Sequence, residues 1–425
     1  MDKSIYSNNP KTADRLNELL NSLRNKYTFM EPEVLTHIAA GKYYRASGDN
    51  PLSIAEFRKA REKCTHNTSE WFKNWMLNEI EISEHKIHLE SKPRRINVTL
   101  TNRCNISCIM CECPGTSWDL SHKTLNELKD LFPYLQNIVW LGGEVFLHPG
   151  FKEIIEEAAR YKHIKHDICT NGLLLDEKWL QLLDNINTYL TVSIDGFTKD
   201  IYEYIRKGAD YDMLIRKLEL LRDHTKTNDK NNHRGFNIGL QMVIMKENYH
   251  EIEKAHDFLI KYNFSNFSMV PLFDYMRDSN SIYNDNLIMN HITESIKILK
   301  ERTAGSSIRI IPEIPIHDCL DLSRADSISS NAKTTDNVLN QHYNGSLLCL
   351  WPWQVLTINQ HDAASIHCYC GHATFGNTKE QSLMELWNCT DIQSFRKNII
   401  ENNTADSCSD ACNSGKMSRE ALRFD

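Results

Sequence analysis

From residue 94 onward, six short runs rich in β-branched residues alternate with amphipathic segments, and this alternation constrains the fold more than any other feature. The runs are 96–102 (INVTLTN), 137–143 (NIVWLGG), 166–170 (HDICT), 189–195 (YLTVSID), 236–245 (FNIGLQMVIM) and 266–272 (NFSMVPL). Between them lie SHKTLNELKDLF, FKEIIEEAARY, DEKWLQLLDNI, the long TKDIYEYIRKGADYDMLIRKLELLRDH and HEIEKAHDFLIKY. Strands separated by helical crossovers pair in parallel, so the chain is an α/β protein with an open or partial (βα)6 TIM-like barrel. Chemistry in such a fold belongs at the carboxyl ends of the strands.

Residues 1–92 read as a helical arm; Leu16, Leu19, Leu20 and Leu23 share one face of the first helix. In residues 37–64, Gly41, Tyr44, Gly48, Phe57 and Ala60 fall at intervals resembling a tetratricopeptide repeat, without a second copy. A plain helical hairpin packed on the next domain fits the same pattern. The expected division is 1–92 helical arm, 93–275 barrel, 276–345 an irregular segment bridging and closing the barrel, and 346–425 a small cysteine-bearing α+β domain of hairpin plus helix.

The chain of 425 residues has 49 basic and 56 acidic residues, a net charge of −7 that argues against broad nucleic-acid binding. No stretch approaches the roughly 20 apolar residues that span a bilayer. The N-terminal residues lack the apolar core of a signal peptide, so a reducing cytoplasmic setting is expected. Thirteen cysteines there point to metal or redox chemistry rather than disulfides.

Three of them, Cys104, Cys108 and Cys111, stand in TNRCNISCIMC directly after the first strand. A zinc site wants four ligands, usually in CxxC pairs; Cys113 is close enough to serve as the fourth. Three thiolates on an iron–sulfur cube instead leave one iron open for a substrate or cofactor.

With Gly142-Gly143-Glu144 after the second strand, Thr170-Asn171-Gly172 after the third and Ser193-Ile194-Asp195-Gly196 after the fourth, the chain resembles the radical S-adenosylmethionine superfamily. That resemblance implies a 4Fe-4S cluster on Cys104, Cys108 and Cys111 whose open iron chelates S-adenosylmethionine. Reductive cleavage there yields a 5′-deoxyadenosyl radical that abstracts hydrogen. It also implies that Gly142, Gly143 and Glu144 receive the methionine ammonium, and that Thr170, Asn171 and Asp195 belong to the cofactor site. Ser193 contacts the ribose or carboxylate, with Arg206 a second contact to the carboxylate. Ile109 and Met110 pack near adenine, and Gln241 and Met242 line the same pocket. Val145 stands where the family usually has proline.

The C-terminal region, CLWPWQVLTINQHDAASIHCYC, then GNTKEQSLMELWNCTDIQSFRKNI, then CSDAC, resembles the SPASM/twitch extension of these enzymes. The full seven-cysteine array is absent. Cys349, Cys368 or Cys370, Cys408 and Cys412 suffice for one auxiliary 4Fe-4S cluster, with Cys368 favoured for ending the hairpin; a zinc knuckle uses the same donors. Cys64, Cys169 and Cys389 fit buried small hydrophobes, and His148 a structural role. No GxGxxG or P-loop is present.

The expected enzyme is a radical SAM oxidoreductase. A flavodoxin or ferredoxin supplies electrons, and a peptide or protein is slightly favoured over a small sugar-like substrate. Oxidation or cross-linking would use the auxiliary cluster. The alternatives are a redox-neutral epimerase or a sugar-type dehydrogenase with Cys319 or Cys113 as hydrogen donor, and, further off, a zinc-binding scaffold.

Overall fold

The structure is a computed structural model that describes residues 10–63, 69–111, 117–230, 236–272, 282, 285–312, 349–366, 374–401 and 403. The arm contains α1 (Pro10–Lys26), α2 (Pro32–Ala46), α3 (Asn50–Glu62) and α4 (Glu70–Ser83). Proline in the first turn of α2 and α3 is tolerated because those N–H groups have no intrahelical partner. Leu16, Leu20, Leu23, Ile38, Phe57 and Trp75 form a core of their own. A Cβ at Gly41 would stand 2.7 Å from the Phe57 ring, so glycine lets α2 and α3 approach closely.

The arm is also tied to the remainder of the chain. Asn78 of α4 donates to Ser91 Oγ (3.0 Å) and to the Trp353 carbonyl (2.7 Å). The buried Glu79 carboxylate pairs with Arg94 (2.9 Å) and Arg45, and accepts from Trp75 Nε1 (2.9 Å). Burial disfavours that charge, but the two guanidinium groups hold its carboxyl well below the usual range.

Six parallel strands form where the alternation placed them: β1 (Arg95–Thr99), then, after the short β2 (Ser107–Cys108), β3 (Asn137–Leu141), β4 (Lys165–Thr170) and β5 (Asn187–Ser193). After the short β6 (Arg206–Lys207) come β7 (Phe236–Ile244) and β8 (Asn266–Pro271). Their crossover helices include α5 (His122–Leu131), α6 (Phe151–Ala158) and α7 (Glu177–Leu183). Ile138, Trp140, Ile168, Leu190, Val192 and Leu240 face those helices and are fully buried. Asn97, Asp167, Tyr189, Ser193 and Gln241 occupy the opposite, interior face, since successive side chains alternate.

Three differences from the sequence reading stand out. The long segment after the fourth strand is not continuous: α8 (Lys199–Ile205) ends at β6, the chain turns at Gly208 (φ +85°), and α9 (Tyr211–Lys230) begins anew. Within the stretch expected to be irregular lie α10's successor α11 (Asn286–Thr303), capped by Asp285, and β9 (Arg309–Pro312), which adds to β8 in parallel; α10 is Ala255–Lys261. The C-terminal hairpin, β10 (Val355–Ile358) and β11 (Ala363–Ser365), is present, but β10 also pairs in parallel with β1. One ten-stranded sheet therefore runs β12 (Thr374–Asn377)-β11-β10-β1-β3-β4-β5-β7-β8-β9.

Candidate functional site: the loop after the first strand

The three-cysteine loop is closed at its base by reciprocal bonds. Asn102 N–H donates to the Trp118 carbonyl (3.1 Å), and Trp118 N–H to Asn102 Oδ1 (2.6 Å). Arg103 pairs with Asp119 (2.9 Å) and donates to the Leu147 carbonyl (2.7 Å). Within the loop, Cys111 N–H donates to the Cys108 carbonyl (3.1 Å), closing a tight turn between them. β2 and β6 pair antiparallel, with Cys108 opposite Arg206, and Ile109 N–H bonds the Ile205 carbonyl (2.9 Å). Cys104 and Cys108 are half-buried and Cys111 is exposed. Burial pushes the Cys104 thiol up and Cys108 up to about 11, against the pull of Arg206 on Cys108.

The two glycines after β3 are dictated by this loop. A Cβ at Gly142 would stand 2.7 Å from the Thr101 carbonyl oxygen, and one at Gly143 would fall on the Arg103 carbonyl. With those positions bare, Gly143 N–H and Glu144 N–H reach the Thr101 and Arg103 carbonyls, each at 2.8 Å. Glu144 is fully buried; it accepts from Thr170 Oγ1 (2.8 Å) and Asn171 N–H (2.9 Å). Burial raises its carboxyl, partly offset by those bonds. Asn171 also reaches across to Asn105 Oδ1 (2.8 Å) and Cys104 Sγ (3.8 Å). Thr170 and Asn171, expected at the cofactor, thus brace Glu144 and the cysteine loop.

After β5, Asp195 accepts from Val243 N–H (2.8 Å) and pairs with Arg206 (2.7 Å). Asn248, which the sequence reading passed over, is fully buried and donates to the carbonyls of Asp195 (3.0 Å) and Val243 (2.8 Å). A lone asparagine after a strand carries no periodic signal, so nothing in the sequence marked it. Ser193 and Gln241 are registered partners on the interior face. Met242 points the other way, into the core against the helices. Ile109 is exposed and Met110 half-buried. Cys169, expected to pack as a small hydrophobe, is instead half-buried on the interior face between Asp167 and Asn171, because β4 alternates there. His148 holds a turn by bonding Leu120 and Gly150, as its structural reading requires.

In the C-terminal region Cys349 is half-buried against the main core. Cys368, Cys370, Cys408, Cys412, Cys113 and Cys319 lie outside the described residues. Among the described residues, no three His, Cys, Asp or Glu side chains converge as ligands of a single ion would. Thiolates sharing one Zn²⁺ at about 2.3 Å would lie about 3.8 Å apart, whereas those of a cluster sit on separate irons. The loop's donors fit an iron–sulfur cluster: three soft thiols on one turn, none replaced by a carboxylate.

Comparison with known proteins agrees with this geometry. Residues 98–259 match the Radical SAM superfamily model, and residues 349–413 match SPASM, an iron–sulfur cluster-binding domain. Among curated relatives, the antilisterial bacteriocin subtilosin biosynthesis protein AlbA of Bacillus subtilis is 25% identical over 38% of this chain and 35% of its own length. Mycofactocin maturase MftC of Mycobacterium tuberculosis is 27% identical over 29% and 32%. A GTP 3′,8-cyclase of Synechocystis is 27% identical over 36% and 46%. The matches thus span between about a third and a half of these relatives' lengths. Streptococcus suis SuiB has the same fold with TM-score 0.54, 13% identity and coverage of 86% of this chain and 83% of its own. A structure of anSMEcpe with bound AdoMet and a Kp18Cys peptide aligns with TM-score 0.51 and 17% identity, covering 73% and 84%. No described helix is long and apolar enough to cross a membrane.

Proposed function

This chain carries a radical SAM domain followed by a SPASM-type iron–sulfur domain, and from that premise we propose that it is an oxidoreductase acting on a peptide or protein. The SAM-binding 4Fe-4S cluster and auxiliary iron–sulfur clusters are the cofactors these domains imply. When bound, they supply hydrogen-atom abstraction from an unactivated C–H bond.

The chain's own part is to bind and orient. Cys104, Cys108 and Cys111 would hold the first cluster, and Gly142, Gly143 and Glu144 would receive the methionine ammonium. Ser193 and Gln241 line the interior where the substrate lies. Cys349, with Cys368 or Cys370, Cys408 and Cys412, would hold the auxiliary cluster, which would supply an electron acceptor when bound. The observation that carries this reading is the three-thiol loop seated on the Gly142–Glu144 turn at the carboxyl end of β1 and β3. The peptide preference is supported by SuiB, solved bound to the precursor peptide SuiA, and by AlbA, a bacteriocin biosynthesis protein. A flavodoxin- or ferredoxin-type protein in the cytoplasm supplies the electron.

The test is anaerobic incubation of reconstituted protein with S-adenosylmethionine and deuterated candidate peptides. Deuterium appearing in 5′-deoxyadenosine supports the proposal. Protein purified anaerobically with zinc and without iron or sulfide overturns it.

A redox-neutral outcome is the second reading, and Cys169 favours it: its thiol faces the interior, and burial together with Asp167 pushes it up to about 12, so it keeps its hydrogen.

A further inference from the structure

Beside the β2–β6 pair, among the described residues, two buried donors have no hydrogen-bond acceptor. Tyr202 is fully buried on α8, yet its hydroxyl has no partner. One helical turn later, at the i+4 position, Arg206 is also buried, and its Nε–H has none either. Arg206 brings a terminal nitrogen to 2.7 Å from Asp195 Oδ2, an ion pair whose oxygen has no hydrogen bond among the described residues, and it stands opposite Cys108 in the β2–β6 pair. The placement is tight: a Cβ at Gly196 would lie 2.7 Å from Tyr202 N, so α8 packs directly on the turn that holds Asp195. A buried donor without an acceptor costs free energy and calls for an explanation, either a bound group or water.

We infer that Tyr202 and Arg206 are positioning residues for the first cluster, donating hydrogen bonds to its Cys108 corner and thereby raising its reduction potential. This rests on the reading that Cys104, Cys108 and Cys111 hold an iron–sulfur cluster. Reduction adds negative charge to a cluster, so donors and a buried cation behind one thiolate favour the reduced form.

The experiment is an anaerobic redox titration of Tyr202→Phe, followed by electron paramagnetic resonance. The first cluster is recognised as the signal that changes when S-adenosylmethionine is added. The expected result is a tenfold weaker one-electron reduction, a downward shift of about 59 mV, with iron content and thermal midpoint unchanged. Arg206→Lys, which keeps the charge but loses Nε–H, should also shift the potential downward. It carries the test if Tyr202→Phe fails to fold. Folded, iron-replete variants with unchanged potential and g-values would overturn the inference and make water the partner of both donors. Wild-type protein that takes up no iron and sulfide would instead overturn the reading beneath it.

Discussion

The indole N–H of Trp118 donates to the buried carboxylate of Asp362 at 3.0 Å, joining residues 244 positions apart. Trp118 closes the cysteine loop, while Asp362 lies in the turn of the β10–β11 hairpin at φ +63°. The hairpin turn also bonds Thr378, and Thr378 in turn meets Thr124 of α5 at 2.8 Å. The C-terminal domain thus grips the loop's base and the helix that follows it.

Replacing Asp362 by alanine should leave the buried indole N–H of Trp118 unmatched, while the Thr378 hydroxyl keeps its bond to Thr124, at a cost of about 1–3 kcal/mol. Denaturant melts should show that loss. Hydrogen exchange should rise at Asn102 and Trp118 before it rises in the sheet.

Gly143→Ala should be far more damaging than its size suggests, because the methyl group meets backbone rather than a flexible side chain. The expected outcome is loss of iron and sulfide from the first site and loss of S-adenosylmethionine cleavage. Elemental analysis and chromatography of 5′-deoxyadenosine would check both.

Under the oxidative reading, Cys169→Ser should leave product formation essentially unchanged, because that reading gives the thiol no part in the chemistry. Loss of product while 5′-deoxyadenosine still forms would instead identify the thiol as a hydrogen donor.

His166 gives the stability a pH dependence. It is fully buried against Trp140, whose Nε1–H donates to its Nδ1 at 3.0 Å, and burial depresses it to about 3. The unfolded chain therefore binds a proton near pH 6.5 that the folded chain refuses. Stability is full above that pH and falls as the pH drops toward 3. Between pH 6.5 and 5 the loss should be about 2 kcal/mol, measured by urea unfolding, and His166→Phe should flatten that slope.

Much of this was legible in the sequence. Alternating β-branched runs located all six barrel strands, because burial on one face forces a period of two. The cysteine spacing and the GGE turn identified the loop and its seat. What escaped was non-local. No local pattern tells that Val355–Ile358 pairs with Arg95–Val98, since register is settled by packing across 260 residues. The bracing roles of Thr170 and Asn171 were likewise invisible, because a hydroxyl or amide at a strand end reads equally as ligand contact or as brace. The strand pattern placed Cys169 in β4; that its thiol lies on the interior face follows from counting along the strand.

The place of β10 beside β1 has a consequence for biosynthesis. β1 is among the first strands to leave the ribosome, yet its second edge stays bare until more than half the chain has followed. Nascent protein must carry that open edge, a template for wrongful pairing, through most of translation. Fragments ending before Cys349 should therefore aggregate even though every barrel strand is present.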